Sequence, residues 1–210
     1  MNTEPVVGLD IDGTLGEYHD HFRVYAANYI GRDLPCAIEY DGTQPFWKYL
    51  GLSKETYRKA KLAFRRGGAK RWMPVYGNAR ELTVNLRKQG VRVVLCTTRP
   101  YLSHDEMEQD TVHWCKRNGV QFDGMLSGEH KYRHLCRRYG KPNVVAVVDD
   151  LPELALQASD LGLPGLLVDQ SYNRHSKLPT GFRRVANLWE AEEELSDELT
   201  DWRQRHEAAD

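Results

Sequence analysis

The chain of 210 residues lacks both a long hydrophobic run and an excess of charge of either sign. Its 29 basic and 30 acidic residues give a formal net charge of −1, so no overall field favours nucleic acid or a membrane surface. The apolar runs are far shorter than a membrane span, and the N-terminus has no basic-then-apolar signal pattern. These absences predict a cytoplasmic protein without a membrane partner.

Cysteine is scarce as well. The four cysteines, Cys36, Cys96, Cys115 and Cys136, share no spacing that is typical of a metal site. Because no secretory signal is visible, we expect reduced thiols with structural roles. The sequence also contains no internal repeat and no low-complexity linker. A chain of this length can bury one good core and carry a smaller appended module.

The most informative segment that is present is residues 6–15, Val-Val-Gly-Leu-Asp-Ile-Asp-Gly-Thr-Leu. Its apolar, β-branched start predicts a buried strand, and the strand's end places Asp10 and Asp12 at the edge of a sheet, where open α/β folds bind ligands. Two carboxylates held so close repel each other unless a cation or a shared proton intervenes. Mg2+ is the simplest cation for such oxygen ligands, and it indicates metal-assisted chemistry on an anionic substrate.

From residue 77 onwards, apolar strands and helices alternate. We predict strands at 91–97, 122–126, 143–148 and 165–168. Helices are predicted at 78–89, from a capping box of Ser103 and Glu106 to Gly119, at 130–139, and after Asp149-Asp150 to about 161. Continuous apolar strands that alternate with helices are typical of a parallel sheet covered on both faces. The fold class is therefore α/β, with a doubly wound parallel sheet.

Residues 19–75 interrupt this pattern with helical stretches at 20–30, at 44–51 and at 53–66, the last beginning at an N-cap, Ser53. We predict a small helical cap, 19–75, inserted after the first strand into a core formed by 1–18 and 76–186. The remaining segment, 187–210, is predicted to be an amphipathic helix that packs on the core, and a dimer contact through it is the alternative. Its apolar face consists of Leu188, Leu195, Leu199 and Trp202.

Four polar elements follow predicted strands or begin helices in a fixed order. They are Asp10-Ile-Asp12-Gly-Thr, Thr97, Lys131 and the pair Asp149-Asp150. With this motif set the chain resembles the haloacid dehalogenase-like phosphohydrolase superfamily over roughly residues 5–170. The resemblance implies that superfamily's core, with a cap that covers the phosphate. A calcium loop is disfavoured because its glycine would stand sixth, whereas Gly13 is fourth.

The chemistry of these groups suggests their roles. Asp10 is placed to attack phosphorus, while Asp12 can protonate the leaving oxygen and then activate water. Gly13 permits a tight turn that brings backbone amides to the phosphate. The groups predicted to hold the phosphoryl oxygens are Thr97, Thr98 and Lys131, with Lys141 as the alternative lysine. The ligands predicted for Mg2+ are Asp10, the backbone carbonyl of Asp12, Asp150 and, less directly, Asp149.

The second carboxylate, Asp12, limits the class of reaction that the chain could catalyse. Hydrolysis of a phosphate ester needs an acid for the leaving group, whereas carbon–halogen hydrolysis does not. A phosphatase is therefore favoured over a dehalogenase, with a phosphomutase as a minor alternative. In the cap, Phe46 and Trp47 are candidates for stacking on a nucleobase, and packing in the cap's own core is the alternative. The basic tract 58–71 could guide an anionic substrate.

Two narrower resemblances concern the substrate. The Leu-Asp-Ile-Asp-Gly-Thr motif, the aromatic cap and segment 166–174 are similar to 5'(3')-deoxyribonucleotidases, which implies a small phosphorylated substrate, a nucleotide. Thr98-Arg99, the helix around Trp114 and Asp149-Asp150 are similar to the phosphatase half of phage-type polynucleotide kinase-phosphatases, which implies nucleic-acid 3' ends, with Arg99 near the substrate. A binding module that has lost turnover is the third alternative.

Overall fold

The computed structural model describes residues 4–99 and 106–208, and within them six strands form one all-parallel sheet in the order β3-β2-β1-β4-β5-β6. The strands are β1 Val6–Leu9, β2 Arg92–Thr97, β3 Gly124–Ser127, β4 Val144–Asp149, β5 Gly165–Val168 and β6 Phe182–Val185. The central strands are buried along their whole length, since apolar residues fill both of their faces.

Helices cover both faces of this sheet. The helices are α1 Tyr18–Ile30, α2 Phe46–Tyr49, α3 Lys54–Arg66, α4 Ala79–Lys88, α5 Glu106–Asn118, α6 Lys131–Tyr139, α7 Pro152–Asp160 and α8 Leu188–Glu207. One face packs against apolar residues of α4, α5 and α8, and the other packs against α6 and α7. The predicted doubly wound parallel sheet is confirmed. None of the described helices has the length and apolar character that crossing a membrane requires.

The helices between β1 and β2 form a third apolar cluster of their own, built around Phe22, Phe46 and Phe64. The chain leaves and re-enters the sheet region at one place, since Gly16 and Val75 form an antiparallel bridge. The two ends of this segment, called the inserted segment below, therefore lie side by side. The Ser53 hydroxyl accepts the backbone N–H of Thr56, which is the predicted N-cap of α3.

Helix α8 buries the apolar stripe that the sequence indicated. Leu188, Leu195, Leu199 and Trp202 lie in the core cluster, and the Trp202 indole N–H donates to the carbonyl oxygen of Pro142 at 2.8 Å. Because this stripe packs against the sheet, α8 would have to detach from the sheet before the stripe could form a dimer contact. The stripe therefore offers no free apolar face for the dimer contact that was the predicted alternative.

The described α-helices and strands lie within two residues of the predicted ones, with one omission. Strand β6 was not predicted, because Phe182-Arg-Arg-Val185 holds two arginines between its two buried ends and resembles a loop. Ser103, predicted to cap α5, lies outside the described residues. The four cysteines form no disulfide, and Cys96 and Cys115 are buried in the core.

Candidate active site

Three neighbouring strands bring the predicted polar groups to one edge of the sheet. Asp10 follows β1, Thr97 ends β2 and Asp149 ends β4, and β1 lies between β2 and β4. Helix α6 begins at Lys131 beside the same edge. Because all the strands are parallel, their carboxyl ends converge, and residues far apart in sequence meet there.

Lys131 joins two of these carboxylates. Its Nζ lies 2.5 Å from Asp10 Oδ1 and 2.7 Å from Asp149 Oδ2, and the side chain has no exposed surface. Burial disfavours the ammonium, but the two carboxylates outweigh burial and raise the pKa of Lys131 above its usual value. The alternative, Lys141, is exposed in a 3-10 helix before β4, at the opposite end of that strand. The structure therefore brings Lys131, and not Lys141, to Asp10.

The two carboxylates after β4 differ in what holds them. Asp149 Oδ1 accepts the backbone N–H groups of Asp150 and Leu151, and its Oδ2 accepts from Lys131 and the Tyr132 hydroxyl. Both of its oxygens are thus engaged by protein donors.

Asp150 is held less completely. Its oxygens each accept one hydroxyl, from Thr14 at 3.0 Å and from Tyr172 at 2.6 Å. Its carbonyl oxygen accepts the side-chain amide of Asn173. Each carboxylate oxygen of Asp150 therefore keeps capacity for a further ligand.

Asp10, Asp149 and Asp150 form a group that could hold a cation, since each offers a carboxylate oxygen within 4.8 Å of the others. Opposite ligands in an octahedral Mg2+ site are about 4.2 Å apart, twice the usual Mg–O distance. Three carboxylates against one lysine leave two negative charges, which one divalent cation would neutralise. The hard oxygen donors and this charge both fit Mg2+.

Without a cation, burial and the neighbouring negative charges disfavour the ionised forms of Asp10 and Asp150. Burial first, and then the charge of Asp149, raise the pKa of Asp10 to about 7, although Lys131 opposes the shift. Burial and the charges of Asp10 and Asp149 likewise raise the pKa of Asp150 well above its usual range. A bound cation would favour the ionised forms of both.

The turn after Asp10 brings the backbone against this cluster. Gly13 adopts φ +101°, and a Cβ at that position would lie 2.3 Å from Asp150 Oδ2. Only glycine combines that backbone conformation with such a close approach. The structure thus agrees with the tight turn that the sequence predicted at Gly13.

Asp12 lies apart from the cluster of Asp10, Asp149 and Asp150, between two cations. Arg99 donates from Nε at 3.1 Å and from Nη2 at 2.5 Å, and Lys70 of the inserted segment donates to Oδ2. Burial alone would raise the pKa of Asp12, but Arg99 and Lys70 outweigh it and hold that pKa below its usual range. In this state Asp12 is a carboxylate.

The same contacts locate Arg99 and the two threonines. Arg99 is buried and also donates to the Thr111 hydroxyl of α5 at 2.7 Å, so a core helix holds it. The Thr97 hydroxyl accepts the Arg99 backbone N–H and is buried, whereas Thr98 is exposed and lines the cleft.

A cleft of about 220 Å³ opens between this edge of the sheet and the inserted helices. It is lined by Asp10, Asp12, Tyr18, His19, Tyr57, Lys61, Arg65, Lys70, Thr98, Arg99, Asp150 and Leu151. Larger surface depressions exist, such as one of about 650 Å³ beside Arg87 and Asp123, but that depression contains none of the site carboxylates.

The predicted stacking residues do not line this cleft. Phe46 is buried in the apolar cluster of the inserted segment, with its ring 4.8 Å from that of His19, and Trp47 is half-buried outside the cleft. Aromatic residues serve that cluster's own packing, and sequence alone does not separate the two uses. Tyr18, His19 and Tyr57 face the cleft instead, and burial lowers the pKa of His19 to about 4.

Sequence reasoning gave no contact to several groups that hold these carboxylates, among them Lys70, Tyr132 and Tyr172. Lys70 was visible only as one member of a basic tract, and Tyr132 as the residue after Lys131. Tyr172 belongs to the segment 166–174, quoted above for its resemblance, and that was the one available signal.

Comparisons with known proteins find similar folds but no close relative in sequence. No protein-family model matches the chain, and no curated protein matches it. Solved structures do match it, at low sequence identity.

A haloacid dehalogenase superfamily hydrolase of subfamily IA from Geobacter sulfurreducens is 15% identical, has a TM-score of 0.61, and is matched over 92% of this chain and 97% of its own. A predicted phosphatase from Clostridium acetobutylicum is 16% identical, has a TM-score of 0.63, and is matched over 92% and 99%. A predicted phosphoglycolate phosphatase from Haemophilus somnus is 18% identical, has a TM-score of 0.58, and is matched over 87% and 94%. The chain therefore has the fold of haloacid dehalogenase-like hydrolases.

Proposed function

We propose that the chain is a Mg2+-dependent phosphomonoesterase in which Asp10 accepts the phosphoryl group. The observation that carries the proposal is the buried cluster at the end of the cleft, where Lys131 joins Asp10 to Asp149 beside Asp150. The likeness to solved structures described as phosphatases supports the same conclusion.

In the first step, an Asp10 carboxylate oxygen attacks phosphorus, and the bond from phosphorus to the leaving oxygen breaks. Asp12 gives a proton to that oxygen as it departs. In the second step, Asp12 takes a proton from water as the water attacks the aspartyl phosphate. Inorganic phosphate leaves, and the Asp10 carboxylate is regenerated.

The ion pairs of Asp12 explain how its role could depend on substrate. Arg99 and Lys70 hold Asp12 ionised in the empty cleft. A bound phosphomonoester offers both cations a competing dianion. A weaker hold on Asp12 raises its pKa towards the range that a general acid needs.

Asp10 and Asp150 would hold the Mg2+, with the Asp12 backbone carbonyl as a further candidate ligand. When bound, the cation offsets charge on the phosphoryl oxygens. Asp149, whose oxygens are engaged by protein donors, positions Lys131. Asp150→Ala should therefore raise the Mg2+ concentration needed for activity more than Asp149→Ala does.

For the substrate, we propose a compact phosphomonoester. The cleft volume of about 220 Å³ is below the roughly 300–1,000 Å³ of typical ligand pockets. A nucleoside monophosphate is the candidate that the sequence resemblance favours, and Tyr18 and Tyr57 are the rings on which its base would stack. A nucleic-acid 3' end is the second candidate, and the cationic face of α3 is the observation in its favour.

A phosphate-release screen tests the proposal. The substrates are p-nitrophenyl phosphate, acetyl phosphate, nucleoside 5'- and 3'-monophosphates and 3'-phosphorylated oligonucleotides, each with Mg2+ or with EDTA. We expect activity that requires Mg2+ and falls by several orders of magnitude in Asp10→Asn.

Three outcomes would change the proposal. Turnover that is unchanged in EDTA, or that persists in Asp10→Asn, would contradict the proposal. Release only from oligonucleotides, with a steep fall in salt, would replace a compact substrate with a nucleic-acid end. A folded wild-type protein that binds these compounds without turning any of them over would be a binding module.

A further inference from the structure

The cap side of the cleft carries two cations that the proposed reaction does not use. Lys61 and Arg65 stand one turn apart on α3, both are half-buried, and both line the cleft that contains Asp10 and Asp12. Their four-residue spacing places them on one face of the helix.

Among residues 4–99 and 106–208, neither Lys61 nor Arg65 forms an ion pair with a carboxylate. Lys59, on the outer surface of α3, pairs with Glu55, and Lys70 pairs with Asp12. Lys61 Nζ lies instead over the Tyr57 ring, 5.5 Å from its centre, and 5.9 Å from the centre of the Tyr18 ring. Burial and the neighbouring Arg65 lower the pKa of Lys61. Cations confined together in this way favour a bound anion.

Counting the formal charges around the cleft indicates how much negative charge that anion should carry. One divalent cation would neutralise the cluster around Lys131, as argued above. The Asp12 carboxylate then remains with four cleft cations, Lys61, Arg65, Lys70 and Arg99, which is a formal surplus of three positive charges. Burial and Arg99 lower the pKa of Lys70 to about 7, and a bound phosphate dianion would favour its charged form. A phosphomonoester dianion supplies about two negative charges, so about one positive charge is still unmatched. The unused cations are those of α3.

We propose that Lys61 and Arg65 form a second anion subsite, so that the preferred substrates carry a carboxylate or a second phosphate besides the phosphoryl group that is removed. This inference rests on the proposed function and narrows its substrate class. A monophosphate whose remainder is neutral would leave the subsite empty.

Matched substrate pairs test the subsite. One pair is 3-phosphoglycerate and glycerol 3-phosphate, which differ by a carboxylate. The other is fructose 1,6-bisphosphate and fructose 6-phosphate, which differ by a phosphate. We expect kcat/KM to be about tenfold or more higher for the compound with the extra anion in at least one pair. The pair that responds identifies which anion the subsite takes.

Variants assign the preference to these side chains. Lys61→Gln and Arg65→Gln should each reduce the ratio of kcat/KM within the responding pair towards one. Lys59→Gln, on the same helix outside the cleft, should leave that ratio and the activity at their wild-type values. A ratio near one in wild type, or a ratio that Lys61→Gln and Arg65→Gln do not change, would overturn the inference.

A binding measurement keeps this test separate from the proposed function. Calorimetry with Asp10→Asn and the same four compounds should show the same preference without turnover, and Lys61→Gln in that background should remove it. If no compound is hydrolysed but the binding preference appears, the subsite stands and the phosphatase proposal fails. Turnover without any preference in binding or kcat/KM would leave the phosphatase and remove the subsite.

Discussion

Replacing Asp10 by asparagine should make the metal-free protein progressively more stable relative to wild type as the pH rises from about 4 to 7. The pKa of Asp10 is raised from 3.8 to about 7 in the folded chain by burial and by Asp149. Between these values the folded protein binds a proton that the unfolded chain has lost. Wild-type stability therefore carries a contribution that falls as the pH rises through this window, and asparagine has no such contribution.

The size of the effect follows from the shift. A difference of about three pH units, at about 1.4 kcal/mol for each unit, gives an upper value of about 4 kcal/mol. The variant also exchanges the neutral acid form of Asp10 for an amide beside Lys131, which shifts its whole stability curve by a constant amount. The informative quantity is therefore the change with pH in the difference between the two unfolding free energies. That difference should be flat below pH 4 and again well above pH 7.

Urea unfolding in EDTA at a series of pH values measures this difference. Asp20→Asn, which removes an exposed carboxylate on α1, serves as the control and should follow wild type within about 0.5 kcal/mol. Saturating Mg2+ should abolish the pH-dependent difference, because a bound cation favours the ionised carboxylate. A wild-type-minus-variant difference that stays constant from pH 4 to 7 would refute the electrostatic account of the cluster.

Three further predictions concern single side chains. Lys131→Met should cost about 3–5 kcal/mol in urea unfolding because it leaves two buried carboxylates unpaired, while exposed Lys141→Met should cost less than about 0.5 kcal/mol; equal costs would contradict the buried bridge. Gly13→Ala should abolish phosphate release, since its Cβ would overlap the Asp150 carboxylate; wild-type rates would show that the turn is not constrained. Trp202→Ala should lower stability by about 3–5 kcal/mol and exposed Trp189→Ala by clearly less, as thermal unfolding can check; the reverse order would show that α8 is not docked as described.

The sequence predicted most of the fold because the central strands β1, β4 and β5 are apolar along nearly their whole length and the breaks between elements carry glycine. Asp10 and Asp149 could be placed together from the sequence, since both follow strands of one parallel sheet and the carboxyl ends of such strands converge. Lys131 was preferred over Lys141 for a similar reason, its position at a helix start on the same side.

The partners of Asp12 were less accessible to sequence reasoning. Lys70 comes from the inserted segment, and its contact depends on how that segment packs over the sheet, which no local pattern encodes. Phe46 was predicted to contact a ligand but lies in an apolar core. An aromatic residue on a short helix suits either place equally well, so the sequence does not distinguish them. Strand β6 was not predicted because its own composition does not indicate a strand. It forms by pairing with β5.

The most direct test of the central claim, that Asp10 carries the phosphoryl group, is rapid-quench mass spectrometry during turnover of p-nitrophenyl phosphate with Mg2+. We predict that the peptide containing Asp10 gains the mass of one phosphoryl group, that hydroxylamine removes it as expected for an acyl phosphate, and that Asp10→Asn shows neither adduct nor turnover. Phosphate release by wild type without any adduct on that peptide, together with continued release by Asp10→Asn, would contradict the account.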